Sequence, residues 1–201
     1  MKITYLILTI ILLGGLVFFL TSCNSKTKTS DQSVAQTPDT TTNKHIQPTE
    51  NPFDGLRGMA FGVTPEQLGL SLSADSTLVY GVVMDMGMNG GTATIVSYKT
   101  GDASMYLSSG GGVIGGGQHP KVNSAAKLFV RMAQNYLDKS VKTDATPVPD
   151  KDDVIFYLLT NKGVYKGQIQ LKKFEDSSSP WNGLFEEGNK VITELRLTGQ
   201  K

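Results

Sequence analysis

The chain has 201 residues, and its 19 basic side chains nearly balance its 18 acidic ones, leaving a formal net charge of +1 at pH 7. No basic stripe stands out, which argues against nucleic acid as a partner. A single cysteine, Cys23, excludes a disulfide within the chain, so the folded part must be held together by its core alone.

The first residues have the order of a secretory signal peptide. Met1 and Lys2 give a positive start, and residues 3–20 are almost wholly apolar. A positive start, an apolar core and small residues before a cleavage site define such a signal. The run is also close to the roughly 17–25 residues that cross a bilayer as a helix, so an uncleaved membrane-spanning helix is the alternative. Both interpretations predict that the rest of the chain lies outside the cytoplasm.

Leu20, Thr21, Ser22 and Cys23 follow the apolar run. An aliphatic residue, two small residues and then cysteine resemble, position by position, the lipobox of bacterial lipoproteins. The resemblance covers the first two dozen residues. It implies a signal peptide over 1–22, cleavage before Cys23, diacylation of the Cys23 thiol and a fatty acid such as palmitate on the new amino terminus. Two or more acyl chains anchor stably, so the expected location is the cell membrane or outer membrane of the envelope.

Residues 24–51 are polar, and Val34 and Ile46 are their only bulky apolar side chains. Such a segment buries too little apolar surface to offset its ordering entropy, so we predict a flexible lipidated tether over 23–51. As a random coil it spans roughly 30 Å. From Pro52 the composition becomes globular, and the length of 52–201 fits a single domain.

Helical patterns open the domain and recur later. Apolar spacing from Phe53 to Ala60 predicts a short helix, and the capping pattern of Thr64–Gln67 predicts a second one ending by Gly69. An apolar stripe predicts a long helix over 120–139. Its expected water-facing residues are Lys127, Arg131, Gln134 and Asp138. A last helix is predicted with Ser179 as its cap and Pro180 at its first position. Its expected buried residues are Leu184, Gly188, Val191, Ile192 and Leu195.

Five runs rich in β-forming residues predict strands. The sequence Asn89-Gly90-Gly91 separates the first two runs, and Thr100-Gly101-Asp102 separates the second from the third, as expected of a three-strand meander. Two later runs flank Asn161-Lys162-Gly163 and predict a second hairpin. The runs cover residues 76–86, 92–100, 103–109, 154–160 and 164–174.

These elements predict an α+β fold, with an antiparallel sheet of about five strands packed with helices on one face. The element order is similar to profilin-like and roadblock-type folds, and that resemblance implies a scaffold that mostly binds partner proteins or small ligands. Residues 79–117 also resemble a bacterial domain that has no activity to carry over to this chain.

Six glycines fall between Gly110 and Gly117. The spacing Gly110, Gly112, Gly115 matches a dinucleotide fingerprint, but the strand before it is third in a meander rather than part of a parallel βαβ unit. A broader hypothesis is an anion or small-ligand site, because consecutive glycines let backbone N–H groups converge ahead of a helix N-terminus. The alternative is that the run only allows a bulge, a close chain crossing or a mobile flap. The candidate ligand-binding residues are Ser108, Ser109, Gly110, Gly111, Gly112, Gly115, Gly116, Gly117 and His119.

Other chemical signals are weaker. Met84, Met86 and Met88 share one strand face, which fits a core stripe or a Cu(I) site. Asp85 points the other way and is expected to bind a loop backbone. A catalytic set would have to combine His119 with Ser108 or Ser109, with Asp85 as the candidate third member. No nucleophile elbow or zinc spacing accompanies them.

The sequence therefore predicts a lipid-anchored envelope protein with a non-catalytic interaction domain, and no cofactor or metal. The expected partner is another envelope protein or a second copy of the chain. Trp181, Leu184 and Phe185 are either an exposed anchor for it or part of the core. The alternative is a small-ligand or anion binder at the glycine loop, and an enzyme at that loop is the third hypothesis.

Overall fold

A computed structural model describes residues 52–175 and 179–199. The predicted signal peptide, Cys23 and the tether lie outside the described residues. Within the described ranges, no helix is long and apolar enough to span a bilayer.

A seven-stranded sheet forms the middle of the domain, in the spatial order β4-β3-β2-β1-β6-β7-β5. All neighbouring strands are antiparallel. The strands are β1 Val79–Met88, β2 Gly91–Tyr98, β3 Ala103–Leu107, β4 Gly112–Val113, β5 Val141–Thr143, β6 Asp153–Thr160 and β7 Gly163–Gln170. The mixed fold and the antiparallel sheet are confirmed, and so are the meander and the hairpin. The expected count of about five strands is wrong, because β4 and β5 are too short to show a periodicity.

In the described part of the chain, three α-helices pack on the sheet: α1 Pro52–Gly62, α2 Pro120–Ala133 and α3 Asn182–Thr198. The predicted helix over 120–139 is α2 followed by a 3-10 turn, Gln134–Lys139. The last helix begins two residues later than expected, although Ser179 Oγ still accepts the backbone N–H of Trp181 at 3.4 Å.

The predicted helix at Thr64 is wrong. Its capping bond forms, since the Thr64 N–H donates to Gln67 Oε1 at 2.9 Å, but the segment is a turn. Gly69 has a φ of +67°, a left-handed conformation that ends helical winding after one turn.

Helices cover both faces of the sheet rather than one. On one face α2 and α3 enclose the larger core, which includes Val82, Met84 and Phe156. On the other face α1 and the segment after it cover Val83, Tyr157 and their neighbours. The burial of β6 agrees with this arrangement. Every residue from Val154 to Thr160 is buried, as expected of a strand that is covered on both faces.

Two side chains, Gln134 and Met59, lie differently from their predicted positions. Gln134 does not face water: its Oε1 accepts the Val79 N–H at 2.8 Å and its Nε2 donates to the Thr77 carbonyl at 3.0 Å. Met59, which belongs to the apolar spacing that predicts α1, is 64% exposed.

The beginning of α3 is part of the core. Trp181 and Leu184 are buried in the larger core, so these two residues are not an exposed anchor. On the predicted buried face of α3, Leu184, Gly188, Val191 and Leu195 are buried as expected, while Ile192 is only partly buried.

Candidate functional site

The methionine face of β1 points into the larger core. Met84 is fully buried, and a Cβ added to Gly188 on α3 would overlap its thioether. Met86 is half-buried, while Met88 is exposed beside the β1–β2 turn. A burial gradient of this kind fits packing, in which methionine fills irregular space. The described residues also contain no group of three or more His, Cys, Asp or Glu side chains placed to hold a metal ion.

Asp85, on the opposite face of β1, is the centre of a buried polar network. Its Oδ2 accepts hydrogen bonds from Arg57 Nε at 3.0 Å and Arg57 Nη2 at 2.5 Å, and its Oδ1 accepts one from Thr94 Oγ1 at 2.5 Å. Arg57 donates onward to the carbonyls of Thr146 and Pro147. The expected contact between Asp85 and a loop backbone is wrong: Asp85 binds the side chains of Arg57 and Thr94, and it is Arg57 that binds the loop carbonyls.

Burial raises the pKa of Asp85, and the hydrogen bonds and charge of Arg57, with the Thr94 hydroxyl, oppose that rise. Aromatic rings enclose the guanidinium, whose Cζ lies 4.9 Å from the Phe61 ring centroid and 5.7 Å from that of Tyr157. The Tyr157 hydroxyl donates to the Pro147 carbonyl at 2.5 Å. With donors and acceptors matched in this way, the network acts as a clamp that joins α1, the sheet and the 144–150 loop.

The structure does not bring the candidate residues of the glycine loop together. Ser108 lies at the end of β3, where its Oγ accepts the Thr92 N–H at 2.7 Å. Gly115 lies at the start of β3, where its N–H donates to Ser104 Oγ at 3.1 Å. Four residues of extended chain separate Ser104 from Ser108, roughly 13 Å at about 3.3 Å per residue. Ser108, Ser109, Gly110 and Gly111 therefore lie at one end of the strand, and Gly115, Gly116, Gly117 and His119 lie at the other. Gly112 pairs with Tyr106 of β3.

Backbone geometry explains why this run is glycine. Gly111 has a φ of +83°, in the tight return from β3 to β4, and its carbonyl accepts the Leu107 N–H. Gly116 is buried, and an added Cβ would overlap the Leu195 side chain of α3. A residue without a side chain is therefore required by a turn at one point and by a close approach at another.

His119 is exposed and precedes α2 without forming a side-chain cap. It borders a shallow cavity of about 260 Å³ together with Lys121 and Glu194. Ser108 lies at the far end of β3, and Asp85 is already bonded to Arg57. No nucleophile, base and orienting group are therefore assembled from these three residues.

A different feature, the outer edge of β7, is open. The backbone groups of odd-numbered residues in β7 form hydrogen bonds with β6. The same alternation continues one residue past the end of β7, where the Leu171 N–H donates to the Asp152 carbonyl at 2.7 Å. Even-numbered residues therefore direct their N–H and C=O groups to the outer edge, because bonding alternates along an antiparallel ladder. β5 pairs only with residues 164–166. At Gln168 and Gln170 no strand of the described chain covers these backbone groups.

Two cavities lie along this edge. One, of about 410 Å³, is lined by the residues Lys139, Val141, Lys142, Thr143, Lys166, Gly167, Gln168 and Trp181. The other, of about 640 Å³, is lined by the residues Asp153, Gln168, Ile169, Gln170, Lys173, Ser179 and Pro180. We call residues 167–170 of β7 with these two cavities the edge groove.

The walls of the edge groove are fixed by the core. Trp181 stacks on Phe156, with ring centroids 5.2 Å apart and an interplanar angle of 7°. Its ring also lies directly against the Gly167 backbone, where an added Cβ would overlap it. Gly167 and Trp181 therefore form a rigid floor, while Lys142 and Val141 are exposed at the end of β5.

No pattern named in the sequence predicts this groove. One signal was present: the run from Val164 to Gln170 alternates, with Lys166, Gln168 and Gln170 on one side of the strand. A polar face with lysine is typical of an edge strand. How much of that edge is free depends on β5, whose three residues carry no recognisable pattern.

Comparison with known proteins gave no relative. No family model, no curated protein and no solved structure matches the chain.

Proposed function

We propose that the chain is a lipid-anchored protein of the cell envelope whose domain binds a protein partner along the edge groove, without catalysing a reaction. The observation that carries the proposal is the outer edge of β7 at Gln168 and Gln170, which pairs with no strand of the described residues and has two cavities along it. An exposed strand edge is a template for pairing with another chain, and many recognition domains use it in that way.

The anchor is supported by the sequence from Leu20 to Cys23, which has the order of a lipobox. Lipidation at Cys23 would hold the domain on the extracytoplasmic side of a membrane, where its partners would be other envelope proteins. Labelling of intact cells with radioactive palmitate tests this part. We expect label in the wild-type chain and none in the Cys23→Ser variant, and an unlabelled wild-type chain in the soluble fraction would contradict it.

Site-specific crosslinking in intact cells tests the binding part. A photoreactive amino acid at position 170 lies on the proposed contact, and one at exposed position 127 of α2 is the control. We expect an adduct from position 170 and none from position 127.

The adduct must also depend on strand pairing. Gln168→Pro removes an N–H that points away from β6, a position where proline is tolerated in an edge strand. Gln168→Thr removes the same side chain and keeps the N–H. We expect the adduct from position 170 to disappear with proline and to persist with threonine, in variants whose circular dichroism melts match. Adducts that ignore this difference would mean that the edge of β7 is not the binding surface.

A further inference from the structure

We infer that the edge groove binds an extended segment of the partner protein that carries acidic side chains. The segment adds to the sheet as a strand beside Gln168 and Gln170. This inference rests on the proposed function. Four lysines line the two cavities: Lys139, Lys142, Lys166 and Lys173. None of them forms an ion pair with any residue that the structure describes.

The nearby acidic and polar groups do not neutralise the groove. Asp153, which lines the larger cavity, accepts a hydrogen bond from Gln168 Nε2 at 2.8 Å. Lys139 lies 4.7 Å from the Tyr136 ring centroid and donates to the Pro180 carbonyl, so its charge has no carboxylate partner there. Four lysines and one carboxylate give the groove a net positive charge, and a complementary partner is acidic.

The register places lysines on both faces of the incoming strand. Val141 pairs with Lys166 and Lys142 pairs with Tyr165, so Lys166 and Lys142 point to opposite faces of the sheet. An added strand would continue the line of β5, and its alternate side chains would meet a lysine on each face. Carboxylates on either side of such a segment are therefore accommodated.

The same charges argue against a second copy of this chain as the occupant. Two β7 edges pairing with each other would bring together two grooves that both carry a net positive charge, and placing like charges side by side in an interface is destabilising. The open stretch from Gly167 to Gln170 is also short, about 10 Å, and presents only two outward-facing residues. A short acidic segment of another protein fits these limits.

Peptide binding to the full-length chain in a nonionic detergent tests the inference. The probe is a capped eight-residue peptide that alternates threonine and glutamate. One control alternates threonine and lysine, and another is the glutamate peptide with prolines at two central positions. Trp181, the only tryptophan in the chain, lines the groove and reports binding by its fluorescence. Hydrogen exchange at Gln168 and Gln170 reports strand pairing.

We expect the glutamate peptide alone to give a saturable fluorescence change and slower exchange at the two glutamines. Its affinity should fall about tenfold between low and physiological salt, because exposed charges are screened. The double variant Lys142→Gln/Lys166→Gln should weaken it several-fold while leaving the melting temperature unchanged.

Three other outcomes of the peptide experiment would each overturn a stated part of the inference. Equal binding of the lysine peptide overturns the acidic partner and leaves the groove as a binding site. Equal binding of the proline peptide overturns strand addition. No response to any peptide overturns the inference, and the crosslinking at position 170 then decides separately whether the proposed function survives.

Discussion

Removing the carboxylate of Asp85 should destabilise the domain strongly, because it leaves the Arg57 charge buried without its partner. The Arg57 side chain is 10% exposed and that of Asp85 is fully buried. In Asp85→Asn the two hydrogen bonds from Arg57 go to a neutral amide oxygen instead of a carboxylate, so the guanidinium charge keeps no counter-charge. Breaking a buried ion pair from one side costs about 3–5 kcal/mol, and we expect about 4 kcal/mol.

Urea unfolding followed by Trp181 fluorescence measures this loss. With a slope of about 2 kcal/mol per molar urea, the unfolding midpoint should fall by about 2 M. The matched control is Asp102→Asn, the same chemical change at an exposed residue whose Oδ2 accepts a hydrogen bond from Thr100, and it should cost less than about 0.5 kcal/mol.

A double-mutant cycle separates the pair from its surroundings. Arg57→Met combined with Asp85→Leu should lose less stability than the two single changes added together, because neither charge is then left unpaired. A loss below about 1 kcal/mol in Asp85→Asn would refute the reasoning, since it would mean that neutral acceptors satisfy Arg57 without a counter-charge.

Three further predictions concern separate parts of the chain. Gly116→Ala should destabilise the domain by about 1–3 kcal/mol, because the added methyl group overlaps the Leu195 side chain; an unchanged melting temperature would show that the close approach is not required. Burial raises the pKa of Tyr157 to about 12, so the native state holds this proton more tightly than the unfolded chain, and the free energy of unfolding should fall from about pH 10 to about pH 12. Tyr157→Phe should make that fall shallower in urea titrations at fixed pH, and identical slopes would contradict the assignment. Cys23→Ser should release the chain from membranes washed with high salt, and retention would indicate an uncleaved membrane-spanning helix instead.

The elements that the sequence predicted correctly have strong local signals. The turn at Asn89-Gly90 has its glycine at a φ of +93°, and the strands on either side of it pair as expected. The buried face of α3 follows the helical period of its apolar residues, from Leu184 to Leu195. Local backbone chemistry and periodicity suffice in these cases, because a turn residue or an amphipathic stripe acts within a few positions of the chain.

The errors have a common physical origin in contacts between distant parts of the chain. Arg57 was not predicted as buried, because its partner Asp85 is 28 positions away. Gln134 was placed on the water side of its helix, and it is held instead by backbone groups 55 and 57 positions earlier. Long-range hydrogen bonds of this kind leave no periodic trace in a single sequence.

By itself, the sequence determined the fold class, the meander, the hairpin and the two longer helices, because hydrophobic periodicity and turn residues encode them locally. Only the tertiary structure decided which polar side chains form a buried clamp and that the glycine loop separates its candidate residues to the two ends of β3. It also decided that part of the β7 edge stays open, since that depends on where the three residues of β5 stop pairing. Strand edges and buried ion pairs arise from how elements meet in space, and no local pattern records that meeting.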